Sequence, residues 1–333
     1  MGRPLELYVE DTRSDEWFAV GNVRRLIEEH RVDVVLGAIT SSMRNAIKDV
    51  IVTEGRTLYI YPGLYEGTEC TPYIFCTGPT PAQQCDELIP WLIANGGKRF
   101  ALPGADYVWP HKLNEYARQV IESSGGEVVF EEYYPLNRFD YSAPVDRIIG
   151  EKVNVVFLTV IAPAVRAFVT RLYEADFQGR GGRLACPYYD DNAANLNAPY
   201  EYEGLASCLD YFRILADNHP FSAELQAAYD ERFPGKAREW PWAPHAVFSA
   251  YTAVMYRGYR LWEAAVNEAG SVARDDVAAA LDHARIEDGP GGPAEMVQGT
   301  RHCRMNMYIA VAKDGEFEIV ACSDGLLDPK ACI

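Results

Sequence analysis

The chain has 333 residues, enough for about two lobes, and is 48% hydrophobic and 24% charged, the balance of an ordinary globular protein. Its 31 Lys and Arg face 48 Asp and Glu, and a formal charge of −17 without a basic cluster argues against direct binding of nucleic acid. The longest apolar stretch, Val155 to Val165, is interrupted by Thr159 and Pro163 and is too short to span a bilayer.

In chain order, residues 4–10 alternate as a strand, Leu5-Glu6-Leu7-Tyr8-Val9, with no secretory signal ahead of it. A helical pattern covers 15–30, and 33–39 reads as a buried strand. Thr40-Ser41-Ser42 then caps a helix over 42–54, which brings unpaired N–H groups next to a hydroxyl that both donates and accepts. The strand 57–61 runs straight into Pro62-Gly63, with Tyr59, Tyr61, Tyr65 and Glu66 around the break. Ligands of open α/β sheets sit at the C-terminal ends of strands. These two consecutive strand ends therefore predict a cleft for a small, neutral, polar ligand, with tyrosines as flat walls carrying polar tips.

Further strands are predicted at 98–102, 127–134, 153–160, 183–187 and 204–209, and helices at 80–95, 110–124, 141–150, 162–176, 220–233, 244–269 and 274–283. This alternation predicts an α/β fold with parallel sheets and helices on both faces, in two sets divided near Tyr73 to Thr80. Asp288 to Pro293 lacks the strand context of a phosphate loop and reads as a turn. A hairpin closes the chain: Arg304 to Ala312, the turn Lys313-Asp314-Gly315, then Glu316 to Ala321.

The eight cysteines, at 70, 76, 85, 186, 208, 303, 322 and 332, form no C-x-x-C pair and no zinc-finger spacing with histidine, so no metal or other cofactor is expected. Reduced thiols are the simpler reading and lean toward a reducing compartment, with Cys322–Cys332 the candidate bridge if the protein is exported. Cys70 beside Glu69 has no converging lysine and no nucleophile elbow, so no catalytic residue is assigned and an amidase is not expected.

The chain resembles the type I periplasmic-binding-protein superfamily, in its urea and short-chain amide branch. The resemblance is carried by Thr40-Ser41-Ser42-Met43-Arg44, by Tyr61-Pro62-Gly63-Leu64-Tyr65-Glu66-Gly67 and by Gly104-Ala105-Asp106-Tyr107-Val108-Trp109-Pro110. Pro72 to Phe75, Pro81 to Gln84, Gly125 to Val128, Glu131 to Leu136 and Tyr256 to Gly270 extend it over nearly the whole chain. It implies two Rossmann-like lobes with parallel sheets joined by three crossovers. The first lobe would hold 1–76 and 211–300, the second 77–210 and 301–333, with the ligand cleft between them.

The resemblance also implies the ligand contacts. Thr40 and Ser41 lie at one strand end, Tyr61, Gly63 and Leu64 at the next, and Asp106 and Tyr107 on the opposite lobe. A primary amide or urea needs a partner for its carbonyl and for at least two N–H donors, and these groups supply them. Ile39 stands where the branch commonly has an aromatic residue, Gly63 where a hydroxyl can stand, and Thr159 to Pro163 lacks the usual small polar residues. Tyr188-Tyr189-Asp190-Asp191, which follow another second-lobe strand, either compensate, with Tyr188 as the contact, or form an exposed loop.

Family members also begin with a strand and a long helix ahead of the segment matched by Arg3 to Leu7, the strand being central in the first-lobe sheet. The expectation is that Met1 is internal to a longer protein and that the first lobe lacks its first strand and helix.

Two binding functions compete. One is the substrate-binding component of an ABC transporter, partnered by a permease and periplasmic if a signal precedes this sequence. The other is a cytoplasmic amide sensor that controls amidase expression through an antiterminator-type protein.

Overall fold

The computed structural model describes Gly2, residues 4–234 and residues 246–332. The chain divides into two units: Met1–Thr80, Tyr251–Met305 and Leu326–Ile333 form unit 1, and Pro81–Ala250 with Asn306–Gly325 form unit 2.

Unit 1 begins with α1 (Glu16–Glu28), capped by Asp15, whose carboxylate accepts from the N–H groups of Trp17 and Phe18. β1 (Val34–Leu36) leads to α2 (Ser41–Asp49), capped by the Thr40 hydroxyl and continued by a π turn over Val50–Glu54. β2 (Leu58–Tyr61) and β3 (Ile74–Cys76) follow, apolar and buried along their whole length as parallel strands covered on both faces must be.

Unit 2 then alternates α3 (Pro81–Asn95), β4 (Arg99–Ala105), α4 (Val108–Ser123), β5 (Glu127–Tyr134), α5 (Ser142–Gly150), β6 (Val155–Phe157), α6 (Ala164–Glu174), β7 (Arg183–Ala185), the short α7 (Asp191–Ala194), β8 (Ala206–Leu209) and α8 (Pro220–Arg232). Beyond it come α9 (Ala250–Ala269), α10 (Arg274–Leu281), β9 (Arg285–Ile286), β10 (Ala294–Val297) and β11 (His302–Met305). Gly270, at φ 60°, ends α9 in the left-handed conformation that a helix C-terminus uses, and its N–H reaches Val266 O at 3.0 Å. β12 (Tyr308–Lys313) and β13 (Glu316–Cys322) form a hairpin turned by Asp314 and Gly315, both at positive φ.

Among the described residues unit 1 carries a six-stranded sheet, β1-β2-β3-β11-β10-β9, parallel through β11 and antiparallel beyond it. Unit 2 carries a seven-stranded sheet, β13-β12-β8-β7-β6-β4-β5, parallel from β8 to β5 with the hairpin antiparallel at the other edge. The expected α/β architecture of two parallel-rich sheets is what the chain forms. No helix among the described residues is long and apolar enough to cross a membrane.

Several local expectations are corrected. Residues 4–10 form no strand: Leu7 and Val9 are 84% and 81% exposed. The segment lies along α1 instead, through a Tyr8–His30 ring stack at 4.0 Å, Arg25–Glu10 at 3.0 Å and an Asn22 bond to Asp11 O at 2.8 Å. Residues 304–312 are not one strand, since β11 belongs to the unit 1 sheet and β12 to the unit 2 sheet. β3, β9 and β10 have no counterpart among the expected strands.

Residues 246–249 go with unit 2 because Asn192 bonds Val247 N and O and the Ser249 hydroxyl. The predicted helix 244–269 starts at Ala250, and its positions 244 and 245 lie outside the described residues. Finally, Cys332 pairs with Cys70, not Cys322, which is free and exposed. The tail is thereby returned to unit 1, where Thr80 Oγ1 donates to Pro329 O at 2.7 Å and Cys332 N–H to Gly67 O at 3.0 Å.

Candidate functional site

In unit 1 the two predicted strand ends lie side by side. Gly37 and Ala38, at φ 145° and 62°, turn the chain out of β1 toward Thr40 and α2. Tyr61 sits at the end of β2, and its hydroxyl donates to Ile39 O at 2.6 Å; Tyr59 donates to Gly37 O at 3.2 Å. Burial pushes both phenols, and that of Tyr65, above their ordinary range, so all three remain protonated. Tyr59 and Tyr61 thus act as struts for the loop beside them, their hydroxyls already engaged by backbone.

The Pro62-Gly63 turn is packed backbone to backbone. A Cβ on Gly63 would fall 2.6 Å from Ile39 O, and one on Gly78 only 2.3 Å from Gly63 O and 2.4 Å from Pro62 O. Gly78→Ala is therefore expected to destabilise the fold by about 1–3 kcal/mol or more, because both obstacles are main chain and cannot swing aside. Chemical denaturation of this variant checks the close approach.

Below the turn lies a buried ionic network that the sequence analysis did not single out. Ser41 Oγ donates to Glu66 Oε2 at 2.6 Å, and Arg44 Nη2 pairs with Glu66 Oε1. Arg44 Nε pairs with Glu69 Oε2 at 3.0 Å, and Lys48 Nζ reaches the same oxygen at 3.2 Å. The guanidinium also lies over the Tyr61 ring, 4.8 Å from its centroid. Burial opposes charge on Glu69, yet hydrogen bonds from Thr71 and the two cations together hold its carboxyl below the ordinary range. The signal available in sequence was the spacing Ser41–Arg44, one helical turn, opposite the Glu66 and Glu69 pair.

The network borders a second chain of contacts. Tyr65 OH bonds His302 Nδ1, and His302 Nε2 lies 3.2 Å from Cys332 Sγ of the disulfide. Burial, with Arg301 adding to it, pushes the His302 imidazole down to about 4. Between pH 6.5 and 4 the unfolded chain then holds a proton that the folded one does not. The contribution of His302 to stability should therefore fall across that window on acidification, by roughly 3 kcal/mol at most. His302→Gln should flatten this part of the profile, as melting temperatures across the window would report.

In unit 2, Asp106 and Tyr107 follow β4, with Tyr107 at the start of α4. The exposed Asp106 carboxylate faces His111 Nε2 at 2.9 Å. Tyr107 and Tyr188 are joined through Trp109, with ring centroids 6.4 and 6.0 Å from it. Tyr188, beyond β7, donates to Val160 O at 2.6 Å and so links two strand ends. Trp109 is buried, and its indole N–H has no hydrogen-bond partner among the described residues; nor has Gln84 Oε1, whose amide nitrogen holds Pro187 O and Cys208 O. In the sequence Trp109 stands out only as one residue of the 104–110 motif.

Asp190 caps α7, and Asp191 Oδ2 accepts from Arg213 N–H at 3.0 Å while burial pushes its carboxyl up to about 7. An open groove of about 910 Å³ between α5, α6 and the 195–198 loop holds none of the predicted residues. Among the described residues no group of three or more His, Cys, Asp or Glu is placed to hold a metal ion.

Thus Thr40, Ser41, Tyr61, Gly63 and Leu64 gather on one strand-end face of unit 1, and Asp106, Tyr107 and Tyr188 on one of unit 2. Residues 1–316 match the family model described as periplasmic binding protein. Among solved structures, the fold is similar to a solute-binding protein of an ABC transporter from Rhodopseudomonas palustris BisB5 in complex with 3,4-dihydroxybenzoic acid. The identity is 24%, 97% of this chain and 87% of that one are covered, and the TM-score is 0.83. A benzoate complex of another R. palustris solute-binding protein matches at 18% identity over 100% and 89% of the two chains, with TM-score 0.81. A leucine-binding protein from Thermotoga maritima matches at 18% identity over 96% and 88%, with TM-score 0.78. At these identities the likeness is one of fold.

Proposed function

We propose, since this chain belongs to the periplasmic binding protein family, that it is the substrate-binding component of an ABC transporter and takes a small neutral amide or urea. The family is one of binding proteins, not of enzymes. The observation that carries the ligand class is the charge balance at the unit 1 strand ends. Arg44 and Lys48 on this face are paired with Glu66 and Glu69, two cations against two carboxylates. A ligand carboxylate arriving there would meet cations already engaged, whereas a neutral ligand leaves the balance intact. Ser41 and Leu64 are the proposed contacts on the strand-end face of unit 1.

The Cys70–Cys332 disulfide favours an oxidising compartment such as the periplasm, with a permease as partner, over a cytoplasmic sensor acting through an antiterminator-type protein. Thermal-shift measurements against urea, formamide, acetamide, propionamide, leucine and benzoate test the ligand class. A ligand that binds only the folded state stabilises it by about 2.7 kcal/mol at a hundred times its Kd. Amides or urea are expected to raise the midpoint; a rise confined to leucine or benzoate would overturn the neutral-ligand reading.

A further inference from the structure

We propose that Glu66 is a specificity-determining residue: it takes the Ser41 proton and so presents Ser41 to the ligand as an acceptor only. This rests on the proposed ligand site and adds to it which atom of the ligand faces Ser41. A serine hydroxyl has one proton and two lone pairs. Here the proton is directed at Glu66 Oε2, 2.6 Å away, and the other Glu66 oxygen is held by Arg44. Arg44 Nη1 lies a further 3.5 Å from Ser41 Oγ, so the hydroxyl stands between a carboxylate that accepts and a guanidinium that donates.

A ligand N–H at Ser41 finds a lone pair. A ligand carboxylate oxygen finds oxygen against oxygen, with the Glu66 charge behind it. Ser41 is completely buried, and an unmatched polar contact at a buried hydroxyl keeps its full penalty. The side chain that selects is Glu66, acting through Ser41. Discrimination here arises from the direction of one hydrogen bond, separately from the net charge of the network.

The isosteric pair acetamide and acetate tests this by calorimetry on the wild type, Ser41→Ala and Glu66→Gln. The wild type should prefer acetamide at least tenfold. Ser41→Ala removes the acceptor without changing charge, and should weaken acetamide about tenfold while leaving acetate unchanged or tighter. In Glu66→Gln the amide nitrogen can donate to Ser41 and free its proton, so the acetamide-to-acetate ratio should contract several-fold. Should Glu66→Gln fail to fold, Ser41→Ala still decides the question.

Equal weakening of both probes by Ser41→Ala, or an unchanged ratio in a folded Glu66→Gln, would overturn the proposal while leaving the neutral-ligand reading standing. A wild type that binds acetate as well as acetamide, or neither, overturns that reading and this inference with it.

Discussion

Arg44→Met is expected to be the most destabilising single change in unit 1, by about 3–5 kcal/mol, with a fall in melting temperature on the order of 10 °C. Arg44 is 1% exposed, and methionine fills much of its volume, so the loss does not come from a cavity. It comes from Glu66 and Glu69, two buried carboxylates deprived of their shared guanidinium. The burial that would lower the Arg44 pKa is outweighed, first by Glu66, and the guanidinium is held above its ordinary range. Lys48, 26% exposed at its side chain, should matter far less: Lys48→Met is expected to cost about 1 kcal/mol or less. Arg44→Met/Glu69→Gln should recover part of the loss, because one stranded charge has then been removed. Equal costs for Arg44→Met and Lys48→Met in urea denaturation would show that the network does not hold this face together.

Removing the disulfide with Cys70→Ser/Cys332→Ser should come second. The bridge spans 262 residues of sequence, and closing so long a loop takes about 5.6 kcal/mol of conformational entropy from the unfolded chain in the loop-entropy account, of which about 2–5 is usually realised. The reduced wild type should melt with the double variant, below the oxidised protein. The 326–332 tail, left with contacts such as Thr80 to Pro329 and the Met305–Leu327 bridge, should become the earliest site of proteolysis. Identical melting of oxidised and reduced protein would mean that the bridge constrains nothing.

Much of the fold was legible because the periodicity is strong. β5 occupies the predicted 127–134, and the Thr40 cap and the Pro62-Gly63 strand end stand where turn chemistry puts them. The misreadings have physical causes. Residues 4–10 alternate as strands do, but alternation shows only that one side is apolar, and here that segment docks on α1. β3 is three buried apolar residues, too short for a period to register. The 304–312 run reads as one strand because nothing in its pattern marks the passage at Asn306 from one sheet to the other.

At the site, single strand ends were visible but pairings across the sequence were not. Arg44 meets Glu66 22 residues away, and Cys70 meets Cys332 across most of the chain. Such partners are set by the packed sheet, and sequence spacing does not encode them.

The central claim is that the strand-end face of unit 1 binds a small neutral ligand and that Ser41 accepts from it. The most direct measurement is a crystal structure of the protein with acetamide or urea bound. The account predicts a ligand nitrogen within about 3.2 Å of Ser41 Oγ, with the Ser41–Glu66 bond still made. Ligand in the open groove beside α5 and α6, or a ligand oxygen against Ser41 with Glu66 turned away, would contradict it.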